Sequence, residues 1–360
     1  MVKPSKSSIY IIAEAGVNHN GDLDRAMALI DVAAASGADA VKFQTFSASR
    51  LASSTAPKAA YQQRTTNADQ SQLEMLRALE LPLEWHEPLQ RHARHKGIQF
   101  LSTAFDKESL AFLETLNLPL YKIPSGELTN GPLLWDFART GKPLVVSTGM
   151  ASLADVEQAL AVLCHGMHEA EEPDSLHEVW QCWSDGIART RLQERVSLLH
   201  CTSQYPAPLK EVNLMAMDTL SQAFHLPVGY SDHTQGNLVA LAAVARGARI
   251  IEKHFTLDRS LPGPDHKASL EPEELATLVS DIRSLESAFG DGYKGPQPSE
   301  WDTRLAARQS LVTAMAVREG EVFTEENLTT GRAGGGLSAM LYWDQIGQRA
   351  QRDYEAGEAI

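Results

Sequence analysis

The sequence predicts an α/β protein, a closed (β/α)8 TIM barrel followed by a small β-rich domain. Three observations predict it. Eight short apolar runs alternate with helix-like stretches through the first 290 of 360 residues. The downstream ends of those runs carry Glu14, Lys42, Thr103, Lys122, Ser147, Ser203, His233 and His254. A parallel barrel gathers such positions at one mouth, where its active site forms. A Gly/Pro-rich stretch at 290–298 then sets off a shorter tail with β character around 310–316 and a glycine run, Gly334–Gly336. The expected domains are therefore a barrel at 1–290, a linker at 291–305 and an appended unit at 306–360.

The first run, 9–13, ends at Glu14-Ala15-Gly16. A helix over 22–35 follows, with Leu23, Met27, Ile30 and Ala34 on one face. Gly37 closes it, because glycine accepts the positive φ of a helix C-terminal cap. The second strand spans 40–44. Residues 45–80 exceed an ordinary strand-to-helix connection. They hold the turn-like Thr65-Thr66-Asn67 and a short helix at 71–79, and long strand-end loops of barrels serve as lids or substrate walls. Strands follow at 99–103, 120–123, 144–147, 197–201, 228–230 and 250–253. Helices are expected between them at 84–96, 109–116, 131–139, 153–163, 214–224 and 238–245, with the last barrel helix at 272–289. Residues 165–195 are acidic and then tryptophan-bearing, and read as an irregular insertion before the sixth strand.

Composition excludes some functions. A net charge of −14 lacks the basic footprint that non-specific nucleic-acid binding needs, although a local basic pocket can still capture an anion. The three cysteines, Cys164, Cys182 and Cys201, are odd in number and lack metal-type spacing, which fits a reduced compartment. The apolar run before Glu14 is too short for a secretory signal, and no stretch approaches the roughly 20 apolar residues that span a bilayer. The expectation is a cytoplasmic protein without membrane partners.

His233 and His254 end adjacent strands, which sets two imidazoles side by side in a manner suited to a borderline divalent cation. His200 either joins them or is a hydrogen-bonded core histidine. Lys42, Lys122, Thr103, Ser125 and Ser147 end the second to fifth strands; point charges and short donors of this kind describe a pocket for a small, multiply charged anion. Glu14 faces them either as a general acid/base or as a structural ion-pair partner of Lys42. The rigid loop at 259–267 can hold Asp265 over the mouth.

These residues sit in motifs that make the chain similar to the sialic acid synthase family (N-acetylneuraminate and legionaminate synthases). The motifs are IAEAGVNHNG (12–21), VKFQT (41–45), STAF (102–105), YKIPSGE (121–127), STGM (147–150), HCTS (200–203), GYSDHT (229–234) and EKHFT (252–256). The resemblance covers nearly the whole chain, and the C-terminal unit resembles the antifreeze-like (SAF) domain of that family. It implies a cytoplasmic transferase that condenses phosphoenolpyruvate with an N-acetylated mannosamine-type sugar. Glu14 would be the acid/base residue. Lys42, Thr103, Lys122, Ser125, Ser147, Ser203 and Ser231 would cradle phosphoenolpyruvate. His233 and His254 would hold Mn²⁺, or Mg²⁺ or Co²⁺. Gln44, Asn67, Tyr205, Asp265 and Arg332 would contact the sugar, Arg332 from the partner in a domain-swapped homodimer. The family often has Arg-Pro-Gly-Asn-Gly where this chain has Arg332-Ala-Gly-Gly-Gly336.

The resemblance favours the N-acetylneuraminate and legionaminate branches, with pseudaminate synthesis as the alternative. Two rivals use other chemistry. A Schiff-base aldolase would use Lys42, Lys122 or Lys253 as a covalent amine, and a non-catalytic sugar-binding protein would not need the barrel charges.

Overall fold

A computed structural model describes residues 8–53, 56–59, 62–63 and 71–360. The chain divides into two compact units, the first ending at Phe289 and the second spanning Gly290–Ile360. The first holds eight parallel strands: β1 Tyr10–Gly16, β2 Ala40–Thr45, β3 Gln99–Ala104, β4 Tyr121–Ile123, β5 Leu144–Ser147, β6 Val196–Cys201, β7 Val228–Asp232 and β8 Ile250–His254. Their order is β3-β2-β1-β8-β7-β6-β5-β4. The end strands β3 and β4 lie against each other, so the sheet closes into the expected barrel. Several strands run further downstream than their apolar runs. The ladder continues through polar residues, pairing Gln44 with Thr103 and Glu14 with His254, because a parallel neighbour satisfies the backbone whatever the side chain is.

Alternation along each strand sorts the side chains. Outward residues such as Ile11, Val41, Phe43, Phe100, Tyr121, Val146, Leu198, Tyr230 and Ile251 pack beneath the helices in one large core. Inward residues form tiers. Ile12, Ala40, Leu101, Val145, Leu199 and Ile250 make a dry apolar floor. One pleat further along lie Glu14, Lys42, Thr103, Lys122, Ser147, Cys201, Ser231 and Glu252, all lining one pocket.

Capping explains why the helices begin where they do. Asp22, Asp106 and Asn130 accept hydrogen bonds from backbone N–H groups of the first turns they precede, and Ser71 and Ser152 form capping boxes with Glu74 and Asp155. Gly37 has φ of +79°.

Residues 165–195 depart from the expected irregular insertion. The preceding helix continues to His168, and two more follow, Leu176–Ser184 and Gly186–Arg195. Asp185 caps the last by accepting from Ile187 N, and Val179, Ala188 and Leu192 are buried. Apolar residues at helical spacing stand there among acidic ones, and tertiary burial selects the helix.

In the second unit β9, Ser310–Thr313, pairs antiparallel with β10, Leu328–Gly331. Leu311, Val317, Phe323, Leu328 and Ala350 form its core. The stretch expected as a linker, 291–305, is helical in its second half: a 3-10 turn, Pro298–Glu300, leads into the helix Trp301–Ala307. Pro298 stands where its missing N–H costs nothing, and Gln297 and Glu300 form a capping box. No helix among the described residues is long and apolar enough to cross a membrane.

Candidate active site

The barrel mouth holds a pocket of 470 Å³. Its deep end is charged. Lys42 Nζ lies 2.6 Å from Glu14 Oε2 and 3.6 Å from Glu252 Oε2, and donates to Thr103 Oγ1 at 2.8 Å. Lys122 Nζ meets Glu252 Oε1 at 2.8 Å, and Ser231 Oγ donates to that oxygen at 2.9 Å. Gln44 Nε2 donates to Glu14 Oε1 at 3.2 Å. Glu14, Lys42, Lys122 and Glu252 are all buried. Burial raises the pKa of Glu14, with Lys42 pulling against it. Burial also works to neutralise Lys42, but Glu14 and Glu252 outweigh it, so the ammonium keeps its proton.

Glu252 is the residue that sequence reasoning missed. Its signal was present: Glu252 stands two residues before His254, so alternation turns both inward, and its neighbour Lys253 outward. Glu252 is held ionised at a strongly depressed pKa, Lys122 and Lys42 overcoming the opposing cost of burial.

Beside this quartet Ser125, Ser147 and Ser203 line the pocket around Gly149, whose N–H donates to Ser125 Oγ at 3.0 Å. A Cβ at Gly149 would collide with Ser203 Oγ and stand 2.8 Å from Ser125 Oγ and 3.0 Å from Cys201 Sγ. Hydroxyls and a backbone N–H thus surround a space kept open by a glycine.

Above them sit the imidazoles. The rings of His233 and His254 lie 5.5 Å apart, and Tyr205 packs on both, at 4.2 and 5.5 Å. Thr202 O lies 2.7 Å from His233 Nδ1. A carbonyl only accepts, so that nitrogen carries the proton and Nε2 keeps its lone pair. His254 Nδ1 is buried without a hydrogen bond, 3.8 Å from Asp265 Oδ2. Burial depresses both imidazoles, His233 to about 4, so they are neutral near pH 7. Burial, and then the Glu14 carboxylate, push Asp265 up to about 7.

Among the described residues no group of three or more His, Cys, Asp or Glu has metal-binding geometry. Two neutral, buried imidazoles with available lone pairs nevertheless fit an open site for a borderline divalent ion, whose other positions go to substrate or water.

The outer wall is apolar. Val17, Phe46, Leu51, Met75, Leu76, Leu79 and Phe105 pack together and line the same pocket, with Phe46 and Phe105 edge to face at 5.9 Å. Most of this wall comes from the long excursion after β2, the expected substrate wall. Gln44, Tyr205 and Asp265 also reach the pocket. Asn67 lies outside the described residues. Arg332 is exposed on the second unit, just past β10.

Two alternatives left open by the sequence are decided. His200 turns outward and its Nε2 bonds Val212 O at 2.7 Å, the hydrogen-bonded core histidine rather than a third ligand. Lys253, offered as a covalent amine, also turns outward and pairs with Asp232, both fully buried. With Lys42 held protonated and Lys122 paired to Glu252, no barrel lysine considered for a Schiff base is both in the pocket and free of a carboxylate.

Residues 29–294 match the model of the NeuB family. The chain is 50% identical over 350 residues to the N,N'-diacetyllegionaminic acid synthase of Campylobacter jejuni, covering 97% of this chain and 98% of that one. It is 44% identical over 361 residues to the protein of that name from Legionella pneumophila, covering 100% and 96%. A crystal structure of N-acetylneuraminic acid synthetase from Leptospira borgpetersenii superposes with a TM-score of 0.65 at 32% identity, over 82% of this chain and 90% of that one.

Proposed function

The chain belongs to the NeuB family, and from that membership and the geometry of the pocket we propose that it condenses phosphoenolpyruvate with an N-acetylated amino sugar, releasing phosphate and forming a nonulosonic acid. The observation that carries this is the buried quartet Glu14–Lys42–Glu252–Lys122 lying directly beneath two neutral imidazoles. The sugar we propose is a 2,4-diacetamido-2,4,6-trideoxyhexose, giving a legionaminate-type product. Two relatives carrying that activity in their names support this choice. So does the apolar wall, which suits a C6 methyl and an acetamido methyl better than a hydroxymethyl.

In this reading Lys42, Lys122 and Thr103, with Ser125, Ser147, Ser203 and Ser231, bind the phosphate and carboxylate. The serine hydroxyls supply short donors, Ser125 Oγ itself held by the Gly149 N–H, and the two lysines fix the orientation of the enol. His233 and His254 hold a divalent cation, Mn²⁺ in the first instance. When bound, such a cation would act as a Lewis acid on the sugar aldehyde.

The Glu14 carboxyl, buried and of raised pKa, delivers its proton to the aldehyde oxygen as C3 of phosphoenolpyruvate bonds to the aldehyde carbon. The resulting carboxylate, paired with Lys42, faces the positive charge developing at C2. It then takes a proton from the water that adds there, and phosphate departs. Gln44 and Lys42, bonded to the two carboxyl oxygens, keep Glu14 aimed through both steps. Tyr205, Gln44 and Asp265 contact the sugar, with Asn67 and, from a domain-swapped partner, Arg332.

The test is phosphate release from phosphoenolpyruvate with Mn²⁺ and a panel of sugars: N-acetylmannosamine, its 6-phosphate, and the diacetamido-trideoxyhexoses leading to legionaminate and pseudaminate. Release with the legionaminate precursor, abolished by EDTA, is expected. A folded enzyme that releases no phosphate with any of them overturns the reading.

A further inference from the structure

The ladder between β7 and β8 ends at the pair Asp232↔Lys253. His233 lies one residue beyond the last rung, so no strand pairing fixes its distance from His254. Something else holds the two imidazoles apart.

That something lies on the outer face of the barrel wall. Lys253 Nζ bonds Asp232 Oδ2 at 2.8 Å and the carbonyl of Thr234 at 2.5 Å. One ammonium thus grips the residues on both sides of His233. Asp232 Oδ1 closes the bracket by accepting from Thr234 N at 2.9 Å and Thr234 Oγ1 at 2.8 Å. Lys253 is itself the residue before His254, and its backbone is held to β1 through the Ala13 pairing. Asp232, Lys253 and Thr234 are fully buried. Buried ionic pairs are weak sources of stability, yet this one spans the two residues adjoining the inward imidazoles.

We propose that Asp232, Lys253 and Thr234 form an outward bracket that positions His233 against His254 for cation binding. This rests on the reading of those histidines as the cation ligands. The bracket residues never touch substrate; they act through the peptide on either side of His233. Partners behind metal ligands of this kind affect metal affinity by roughly 10- to 100-fold.

The test separates positioning from mere stability. In the double variant Asp232→Leu/Lys253→Met both buried charges go together, so neither is left unpaired, while Thr234 loses the partners of its N–H, hydroxyl and carbonyl. Mn²⁺ affinity is read by electron paramagnetic resonance of the free ion, and Tm by calorimetry. The expected result is a Kd at least about 10-fold weaker alongside a lower Tm, so the comparison that decides is with a variant that lowers Tm elsewhere. Asp232→Asn is the second variant; its side-chain oxygen still accepts from Thr234, and weaker Mn²⁺ binding is expected there too should the double variant be insoluble. Asp39→Asn is the control. It loosens the Arg283 ion pair (2.8 Å) outside the pocket and is expected to lower Tm without moving Kd.

A folded double variant that binds Mn²⁺ within about twofold of the parent overturns the bracket. If the parent itself binds no Mn²⁺, or binds it equally after His233→Ala, the reading of the histidines fails and the bracket falls with it.

Discussion

Glu14 carries the sharpest prediction at the scale of single residues. Glu14→Gln keeps the shape and the Gln44 contact but removes the transferable proton. Turnover should fall at least about 100-fold, while phosphoenolpyruvate affinity, resting on the lysines and hydroxyls, changes only a few-fold. Steady-state kinetics with a binding titration check it, and unchanged turnover would remove Glu14 from the chemistry. Position alone left Glu14 divided between acid/base and ion pair, and the structure has it paired with Lys42 at 2.6 Å. These roles do not compete, because the pairing is what aims and tunes the carboxyl. Glu252 was equally legible in principle. Reading each strand only to its last chemistry-bearing residue passed over the inward position two residues earlier. His200 was left open between ligand and core histidine, and its parity on β6, which turns it outward, decides for the core.

Among elements, the turn after β5 is the most exacting. Ser203, Ser125 and Cys201 close on Gly149 and leave no room for a methyl group there. Gly149→Ala should therefore raise the KM for phosphoenolpyruvate by about 10-fold or more, the equivalent of a lost or displaced hydrogen bond to a charged group. The Mn²⁺ Kd should stay as it was, since the imidazoles sit on other strands; an unchanged KM would mean that the hydroxyls do not form the anion cradle. The barrel strands were legible because a short apolar run followed by a helix-like stretch recurs eight times. The helices at 176–195 were not, because acidic flanks mask their apolar spacing and only packing against the preceding helix reveals it. The excursion after β2 was legible as a wall, but its apolar face was not, since Phe46, Met75, Leu79 and Phe105 meet only in three dimensions.

At the scale of the whole molecule, pH acts through buried imidazoles away from the pocket chemistry. Burial depresses His19, His86 and His266 to about 4 from an ordinary 6.5. The unfolded chain then binds more protons than the folded one between those values. Stability is fully present above about 6.5 and is lost as pH falls toward 4. Asp265, raised to about 7, and Glu14, also raised, have the opposite sign, but the depressed imidazoles, His233 and His254 included, outnumber them. Tm should fall by several degrees between pH 7 and pH 5, as calorimetry would register; a Tm that rises over that interval contradicts the assignment. The apolar floor beneath the charged tier adds a last consequence. Ile12, Ala40, Leu101, Val145, Leu199 and Ile250 close the barrel from below, so nothing reaches Glu14 from that end. Water, substrates and protons bound for Glu14 all have to come and go on the imidazole side, past His233 and His254.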